Sequence, residues 1–555
     1  MGEPEGAAEI LAWASARLAT GSDEALRSTL AAAVVRFPGH AALAQCHADA
    51  LQIAGAYRDA AAAYRRVLAL DRQNPGAWFG LGCAELERHA YGDAVAALRQ
   101  AAALLPEVPA PRFNLAKALF ELGEVDEAVD LYRQIAARRD GALRAEALAA
   151  LACIIPGAPR ADNAAILAAR RAWAAVESPG ARPRPAPAPR RERLRIGYVS
   201  AFLGDRNWMK PVAGAINHHD RGRFELHFFS DGGRPDEAAG WRDFPTDVVH
   251  EIAGMSNDRL AAIVARIGID VLVDLNGYSF QRRLGLFMRR PAPVMVGWFN
   301  QFAPSGIDAF DAVIGDEAVI PPSEERFYGE RVLRVPGSYL AFSVPYRTPD
   351  PVAPPVLAGG RLTFGCLSSQ YKMTDLTLDA WGAILRAAPD TRLLVKNRTL
   401  GDASSRMAFL ARLARHGIGP ERVELEGPDD HDAFLAAYGR VDIALDTLPY
   451  SAGTTAMEAL WQGVPVLTWN GDRWAARTCR SLLQAAGLGA WCRDSRDAFV
   501  ARGIELARAP ETPAMLAALR ATLRPTVARS PACDSEGLCR ALEAIYADLA
   551  ASVAR

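Results

Sequence analysis

A 34-residue period runs through residues 41 to 142 and constrains the fold more than any other feature of the 555-residue chain. Ala60, Ala94 and Ala128 recur at that spacing, as do Tyr64, Leu98 and Tyr132, and Val67, Ala101 and Ile135. Each alanine follows an acid, at Asp59, Asp93 or Glu127. Within a unit, two apolar stripes of helical period flank a short turn, and the alanine marks where the second helix must approach the first closely. Such a unit cannot bury its apolar face alone, so neighbouring copies must stack into a solenoid. Residues 7–40 read as a degenerate first copy ending at Pro38, and 143–177 as further helix that caps the stack.

This pattern resembles the tetratricopeptide repeat. In the copy starting at Pro75, Leu81, Gly82, Ala94, Leu98, Ala101 and Pro106 fall where that repeat expects them. The regularity ends at SPGARPRPAPAPRR, where alternating proline and arginine exclude helix and sheet and predict a semi-rigid, extended linker with few contacts. Beyond it, short β-branched runs alternate with amphipathic helices: LRIGYVS, FELHFFS, IDVLVDLNG, VMVGWF and AVIGD. A second proline-rich break, TPDPVAPPV, precedes LTFGCLS, TRLLVKN, VELEG, VDIALDT and PVLTW. Alternation of this kind predicts parallel sheets layered with helices. The expected fold class is an α-helical repeat solenoid (1–177), a Pro/Arg linker (178–192) and two Rossmann-like α/β lobes (193–347 and 357–555) with a cleft between them.

Composition removes several classes of function. With 63 basic and 64 acidic residues there is no global field to hold nucleic acid or an anionic membrane. No run approaches the ~18 to 20 apolar residues of a membrane span. The start, MGEPEGAAEI, carries acid where a signal peptide carries base, and Gly6 stands where myristoylation wants Ser or Thr, so a cytoplasmic protein is expected. Eight cysteines without CxxC pairs predict reduced thiols, not a disulfide framework or a zinc site.

Neither lobe opens with a GxGxxG loop or a P-loop, which weakens the case for a dinucleotide dehydrogenase or a P-loop ATPase. A different phosphate site is present. VDIALDT runs into the small-residue loop LPYSAG, ending at Gly453, and then into a helix beginning TTAMEALWQG. Thr454 and Thr455 fall in the first turn, where unpaired backbone N–H groups and the helix dipole attract phosphate and hydroxyls add donors. Glu458 follows on the same face, where a carboxylate can accept from both hydroxyls of a ribose. The bland reading is that the threonines cap the helix and Glu458 is solvated. Lys372, in SSQYKMTD after the first strand of the second lobe, shares the same crevice and can neutralise a diphosphate leaving group. Lysine is scarce here, with Lys117, Lys210, Lys372 and Lys396 the only four among 63 basic residues. DDHD at 429–432 imitates a metal-binding DxD but opens a helix, where aspartate caps, so no metal site is expected. His218 and His219 read as surface residues, Trp298 and Trp461 as core.

The repeats, the two lobes, QYK after the first strand of the second lobe, and VDIALDTLPYSAGTTAMEALWQGVPV together resemble the bacterial and eukaryotic protein O-GlcNAc transferases of the SPINDLY type. The resemblance spans residues 41 to about 545. It implies a GT-B fold and inverting transfer of a sugar from a nucleotide diphosphate donor, UDP-GlcNAc, to Ser or Thr of a protein acceptor held by the repeats, with no cofactor or metal. By position, Lys372 would stabilise the diphosphate, Thr454 and Thr455 would bind its oxygens beside Gly453 and Gln370, and Glu458 would hold the ribose. In the first lobe, LVDLNGYS and VGWFNQFAPSG match loops facing the sugar and acceptor, which brings forward Asn276, Gly277, Ser305 and Gly306.

The chain departs from that family at three places. VSAFLGDRNWMKP places Arg206 and Lys210 where two histidines are usual, one of them a proposed base. FLAAY stands where HLALY is common, giving Phe434, with His431 a turn earlier, at the position of the nucleotide base. The sixth-position asparagines of long-repeat members are here Cys46, Gly80 and Asn114. Asp205, Asp274 and His218 remain as candidate bases. Arg206 and Lys210 together would suit a carboxylate-bearing sugar, so one alternative is a flagellin glycosyltransferase with a CMP-nonulosonic acid donor. The other is a repeat-based interaction protein whose transferase lobes are idle.

Overall fold

The structure of the protein, a computed structural model, describes residues 6–138, 141–178, 180, 182–186 and 191–553. Its N-terminal part is five helix pairs: α1 (Ala7–Leu18) and α2 (Glu24–Arg36), α3 (Ala41–Ile53) and α4 (Tyr57–Leu70), α5 (Pro75–Glu87) and α6 (Tyr91–Leu104), α7 (Pro109–Glu121) and α8 (Val125–Ala136), α9 (Arg144–Ile154) and α10 (Asn163–Glu177). The leading helices of the first four pairs begin at residues 7, 41, 75 and 109, so the 34-residue register reaches back into the copy that reads as degenerate. Local chemistry sets the boundaries. Asn74 accepts from the Ala77 N–H at 2.9 Å to cap α5, and Pro75 and Pro109 occupy first turns, where their missing N–H is no loss. Ala60, Ala94 and Ala128 are fully buried between helices. Approach is closest at Gly80 and Gly82, where a Cβ would stand 2.2 Å from the Tyr64 ring and 2.4 Å from Leu98 Cγ.

Both lobes are built on parallel sheets. The first holds β1 (Leu194–Ser200), β2 (Phe224–Ser230), β3 (Val248–Glu251), β4 (Val271–Asp274), β5 (Val294–Gly297), β6 (Ala312–Gly315) and β7 (Arg331–Arg334), ordered β3-β2-β1-β4-β5-β6-β7. The second holds β8 (Thr363–Cys366), β9 (Arg392–Lys396), β10 (Val423–Glu426), β11 (Ile443–Leu445), β12 (Val466–Trp469) and β13 (Cys492–Arg493), ordered β10-β9-β8-β11-β12-β13. Each order reverses at its first strand, which opens a crevice at the carboxyl ends of β1 and β4 and of β8 and β11.

The repeats are docked on both lobes. Arg170 of α10 is buried and donates to the carbonyls of Gln301, Ala303 and Pro304 at 3.1, 3.1 and 2.8 Å, with its guanidinium 3.9 Å over the Tyr278 ring. Arg473 of the second lobe donates to Ala158 O at 3.0 Å and to Ala161 O. Ser405 and Ser404 accept from the N–H groups of Tyr91 and Asp93 at the start of α6, each at 3.1 Å. The linker expected at 178–192 falls partly outside the described residues, at 179, 181 and 187–190. Residues 182–186 form no helix or strand, but Arg184 pairs with Asp311 at 2.5 Å, a contact not expected of a bare tether.

The last helix, Ser535–Val553, leaves the second lobe, to which its sequence position assigned it, and packs on the first. Glu543 Oε1 accepts from Asp220 N at 2.8 Å and lies 3.1 Å from His219 Nδ1, while His219 Nε2 lies 2.7 Å from Tyr198 Oη. His219 is therefore buried, contrary to the surface reading, because its partner comes from 324 residues away. His218 is half-buried, with Nδ1 2.8 Å from Gly214 O. Trp298 is core, as expected, and Trp461 is half-buried with its N–H on Thr348 Oγ1 at 3.2 Å.

Candidate active site

The two crevices face each other and form one cleft of about 510 Å³. The second lobe lines it with Ser368, Ser369, Tyr371 and Lys372 after β8, and with Tyr450, Ser451, Gly453, Thr454, Thr455 and Glu458 after β11. Both are loops at the switch point of the sheet.

The loop after β11 is fixed from beneath. Asp446 is buried and accepts from Thr447 N, Ala452 N and Thr468 Oγ1 at 2.8, 2.8 and 2.7 Å. Thr374 and Thr377 each donate a hydroxyl to Leu448 O at 2.8 Å. The helix Thr454–Trp461 starts at Gly453 with no side-chain cap, so neither threonine is its N-cap. Its first N–H groups lack intrahelical acceptors, and the dipole's positive end faces the cleft. Thr455 Oγ1 lies 3.1 Å from Ser368 Oγ, which binds the two loops together.

Lys372 ends the turn Gln370–Lys372, donates to Ser451 O at 3.1 Å, and holds Nζ 4.4 Å over the Tyr450 ring. Burial pushes its amine down to about 8, against the opposing pull of Asp446. Among the described residues no carboxylate lies within ion-pair distance of it. The cation is thus presented to the cleft without a neutralising partner, next to a helix N-terminus. That combination suits a ligand with two adjacent negative charges.

Glu458 is buried, not solvated, and its Oε1 accepts from Lys210 Nζ at 2.7 Å across the lobes. Burial raises its pKa while Lys210 lowers it. Lys210 also lies 3.2 Å from His431 Nε2, and burial together with Lys210 and Arg206 pushes that imidazole down to about 4, neutral at pH 7. Arg206 stands 4.2 Å over the Tyr346 ring and does not line the cleft. Asp430 caps its helix through Ala433 N at 2.9 Å and Asp429 pairs with Lys396 at 2.5 Å, so two of the three aspartates of DDHD are engaged.

Several residues brought forward from sequence lie away from the cleft wall. Asp205 is exposed and caps the helix Arg206–Met209 through Asn207 N and Trp208 N at 2.9 and 3.2 Å. Asp274 is fully buried and accepts from Asn276 N, Gly277 N and Gln301 Nε2 at 2.9, 3.0 and 2.8 Å; burial lifts its pKa to about 6. Asn276 accepts from Ala201 N at 2.7 Å, and Gly277, at φ +50°, passes so near Asn300 O that a Cβ would stand 2.0 Å away. These three tie together the loops after β1, β4 and β5. Ser305 N donates to Glu330 at 2.7 Å, and Gly306 packs on Arg170, facing the repeats. Gln370 is buried below Lys372 against the repeat turn at Gly123.

What the first lobe does present is Asn207, Trp208, Pro211, Ser279, Phe299, Asn300, Phe302 and Leu340. Asn300 and Phe302 both have left-handed backbones, φ 63° and 52°. Strain of that kind in a bulky residue persists where surrounding structure enforces it. The motif VGWFNQFAPSG reaches the cleft through Phe299, Asn300 and Phe302, aromatic and amide residues that look like core in sequence, and not through Ser305 or Gly306.

Two parallel α/β lobes with an interlobe cleft, joined to a helical-repeat domain, define a GT-B glycosyltransferase architecture carrying tetratricopeptide repeats. The chain belongs to glycosyl transferase family 41: that family's model matches residues 182–342 and 357–542, and tetratricopeptide models match 47–109 and 85–152. A rice (Oryza sativa subsp. japonica) protein named a probable UDP-N-acetylglucosamine–peptide N-acetylglucosaminyltransferase SPINDLY is 33% identical over 64% of this chain and 39% of its own length. The Arabidopsis thaliana protein of the same description named SEC is 26% identical over 60% of this chain and 35% of its length. The chain thus spans about two fifths of the length of these curated relatives. A solved structure of a mutant Thermobaculum terrenum O-GlcNAc transferase superposes with a TM-score of 0.78 at 30% identity, covering 93% of this chain and 98% of that one. No helix among the described residues is long and apolar enough to cross a membrane.

Proposed function

We propose that this protein transfers N-acetylglucosamine from UDP-GlcNAc to a Ser or Thr hydroxyl of an acceptor protein held by the repeats, with inversion and without a cofactor or metal. The observation that carries the reading is the Lys372 amine beside the first turn of Thr454–Trp461, in the wall of one cleft. In the reaction the acceptor hydroxyl oxygen bonds to the anomeric carbon as the bond to the diphosphate breaks; the diphosphate leaves with the bonding electrons, and the hydroxyl proton passes to it or to solvent. Charge grows on its oxygens, where Lys372, the helix N-H groups and the two threonine hydroxyls can meet it. Preorganised charge of this kind is usually the largest catalytic term. Relatives named for UDP-N-acetylglucosamine and peptide support the choice of donor and acceptor.

The acidic-sugar alternative needs two available cations in the first lobe. Lys210 is instead paired with Glu458, and Arg206 lies on Tyr346 outside the cleft wall. Glu458 keeps one oxygen for a ribose. None of the candidate bases Asp205, Asp274 and His218 lines the cleft. Incubation with UDP-GlcNAc and a bacterial protein extract tests the reading: UDP release and N-acetylhexosamine added to Ser or Thr peptides are expected. Turnover of a CMP-linked nonulosonic acid instead would replace the donor, and turnover of neither would favour idle lobes.

A further inference from the structure

We propose that the repeat domain is part of the donor site, with Phe120 of the fourth helix pair acting as a positioning residue for Lys372 through Tyr371 and Tyr450. The contacts form one chain. The Phe120 ring, on α7, stacks on Tyr371 with centroids 4.9 Å apart and planes inclined at 19°. Tyr371 meets Tyr450 edge-on at 6.1 Å, and the Tyr450 face carries Lys372 Nζ at 4.4 Å. Phe302 of the first lobe closes the other side of Tyr450 at 5.4 Å. The repeats also reach this ring at Gly157, where a Cβ would stand 3.6 Å from Tyr450 Cδ2, so the lysine is held over a ring whose neighbours come from all three parts of the molecule.

The floor of the same turn is also made by the repeats. Gly123, between α7 and α8, has φ +85°, and a Cβ there would stand 2.8 Å from Met373 O and 2.9 Å from Gln370 O. Arg412, buried, clamps this junction: it donates to Leu122 O and Gly123 O of the repeat turn, to Met373 O at 3.1 Å, and to Asp375 at 2.8 Å. The carbonyl of Met373, next to Lys372, is thus bridged by Arg412 to the turn of a repeat, and that of Gln370 packs against the same turn. A packed contact of this kind passes displacement on, because interiors have little free volume to absorb it. An acceptor that shifts α7 would shift Lys372.

The catalytic consequence rests on the proposed role of Lys372; the coupling does not. Both are tested on the full chain. Its four lysines can be followed separately by trace acylation across a pH series with peptide mass spectrometry. In the wild type the Lys372 midpoint should fall at about 8, where burial draws the amine down. Asp446, Cys366, Cys479, the Ser451 carbonyl and the Tyr450 ring face that amine, and all of them keep their chemical identity in Phe120→Ala, so only their placement around the amine can change. Phe120→Ala removes the stacked ring, admits water beside Tyr371 and should raise the midpoint by about one pH unit, with Lys117 as internal control. Acceptor-free hydrolysis of UDP-GlcNAc should fall about tenfold in kcat, as expected for a displaced charge. Phe120→Tyr should restore both. Ser404→Ala, which loosens a different contact of the same interface, should change each by less than about twofold.

An unmoved Lys372 midpoint in Phe120→Ala, or equal losses in Ser404→Ala, would overturn the coupling. A midpoint that moves in a protein whose wild type turns over no nucleotide sugar would uphold the coupling and remove the function proposed for the cleft.

Discussion

Lys372 carries its charge in a place that opposes it, with burial drawing the amine down to about 8. The protonated form is the one that can stabilise a leaving diphosphate, and it is present below that value. Transfer should therefore decline as pH rises through about 8, and a rate that stays flat to pH 10 would exclude this lysine. Lys372→Ala should lower turnover by about 100-fold or more with the fold retained, since one lost donor to a developing oxyanion costs that much. An unfolded lysine titrates near ~10.4, so the folded state binds fewer protons between about 8 and 10 and stability rises with pH across that window. Lys372→Met should accordingly raise the unfolding midpoint while abolishing activity. Lys210 behaves oppositely: Lys210→Ala leaves the buried Glu458 without its partner and should cost about 3 to 5 kcal/mol in denaturant titration. The sequence made Lys372, Thr454, Thr455 and Glu458 legible because they lie in the loop after β8 and in the helix that follows the loop after β11. It did not reveal the pairing of Lys210 with Glu458, which are 248 positions apart. Nor could it tell which members of VGWFNQFAPSG turn inward, since left-handed backbone at Phe302 has no residue-type signal.

The helices of the repeats were readable because their spacing is an accumulated signal: the same contact recurs in successive copies. Gly82 shows how strict that contact is. Gly82→Ala places a methyl 2.4 Å from Leu98 Cγ and should destabilise the chain by roughly 1 to 3 kcal/mol, visible in thermal unfolding followed by helical circular dichroism. Wild-type stability in that variant would mean the third pair packs differently. Strands divide by position in the sheet. β1, β4, β5, β8 and β11 are buried apolar runs and stood out; β3, β7 and β13 read VVHE, RVLR and CR and did not. Edge strands are short and half-exposed, so their sequences carry little apolar pattern.

The repeats and the lobes, expected to be joined by a contact-poor linker, are instead interlocked by buried arginines. Arg170, Arg412 and Arg473 each donate to backbone carbonyls across a junction between repeats and lobes. Isolated repeats, residues 1–177, would expose α10, including Arg170 and Trp173, to water. The full chain should therefore unfold in one calorimetric transition, and the isolated repeats should melt at a lower temperature than they do in the intact protein. Two well-separated transitions in the full chain would contradict this. The helix Ser535–Val553 adds a further tie by returning to the first lobe. Such long-range closure leaves no local mark in a sequence, which is why the division into parts was legible and their docking was not.

Calorimetric titration with UDP, UMP and CMP tests the central claim most directly, because the three differ in base and in the second phosphate that Lys372 and the Thr454–Trp461 helix are proposed to meet. UDP should bind at least about tenfold more tightly than UMP or CMP, one charge-assisted hydrogen bond or more in excess, and that margin should vanish in Lys372→Ala. Tighter binding of CMP, or binding of none of the three, would contradict the account.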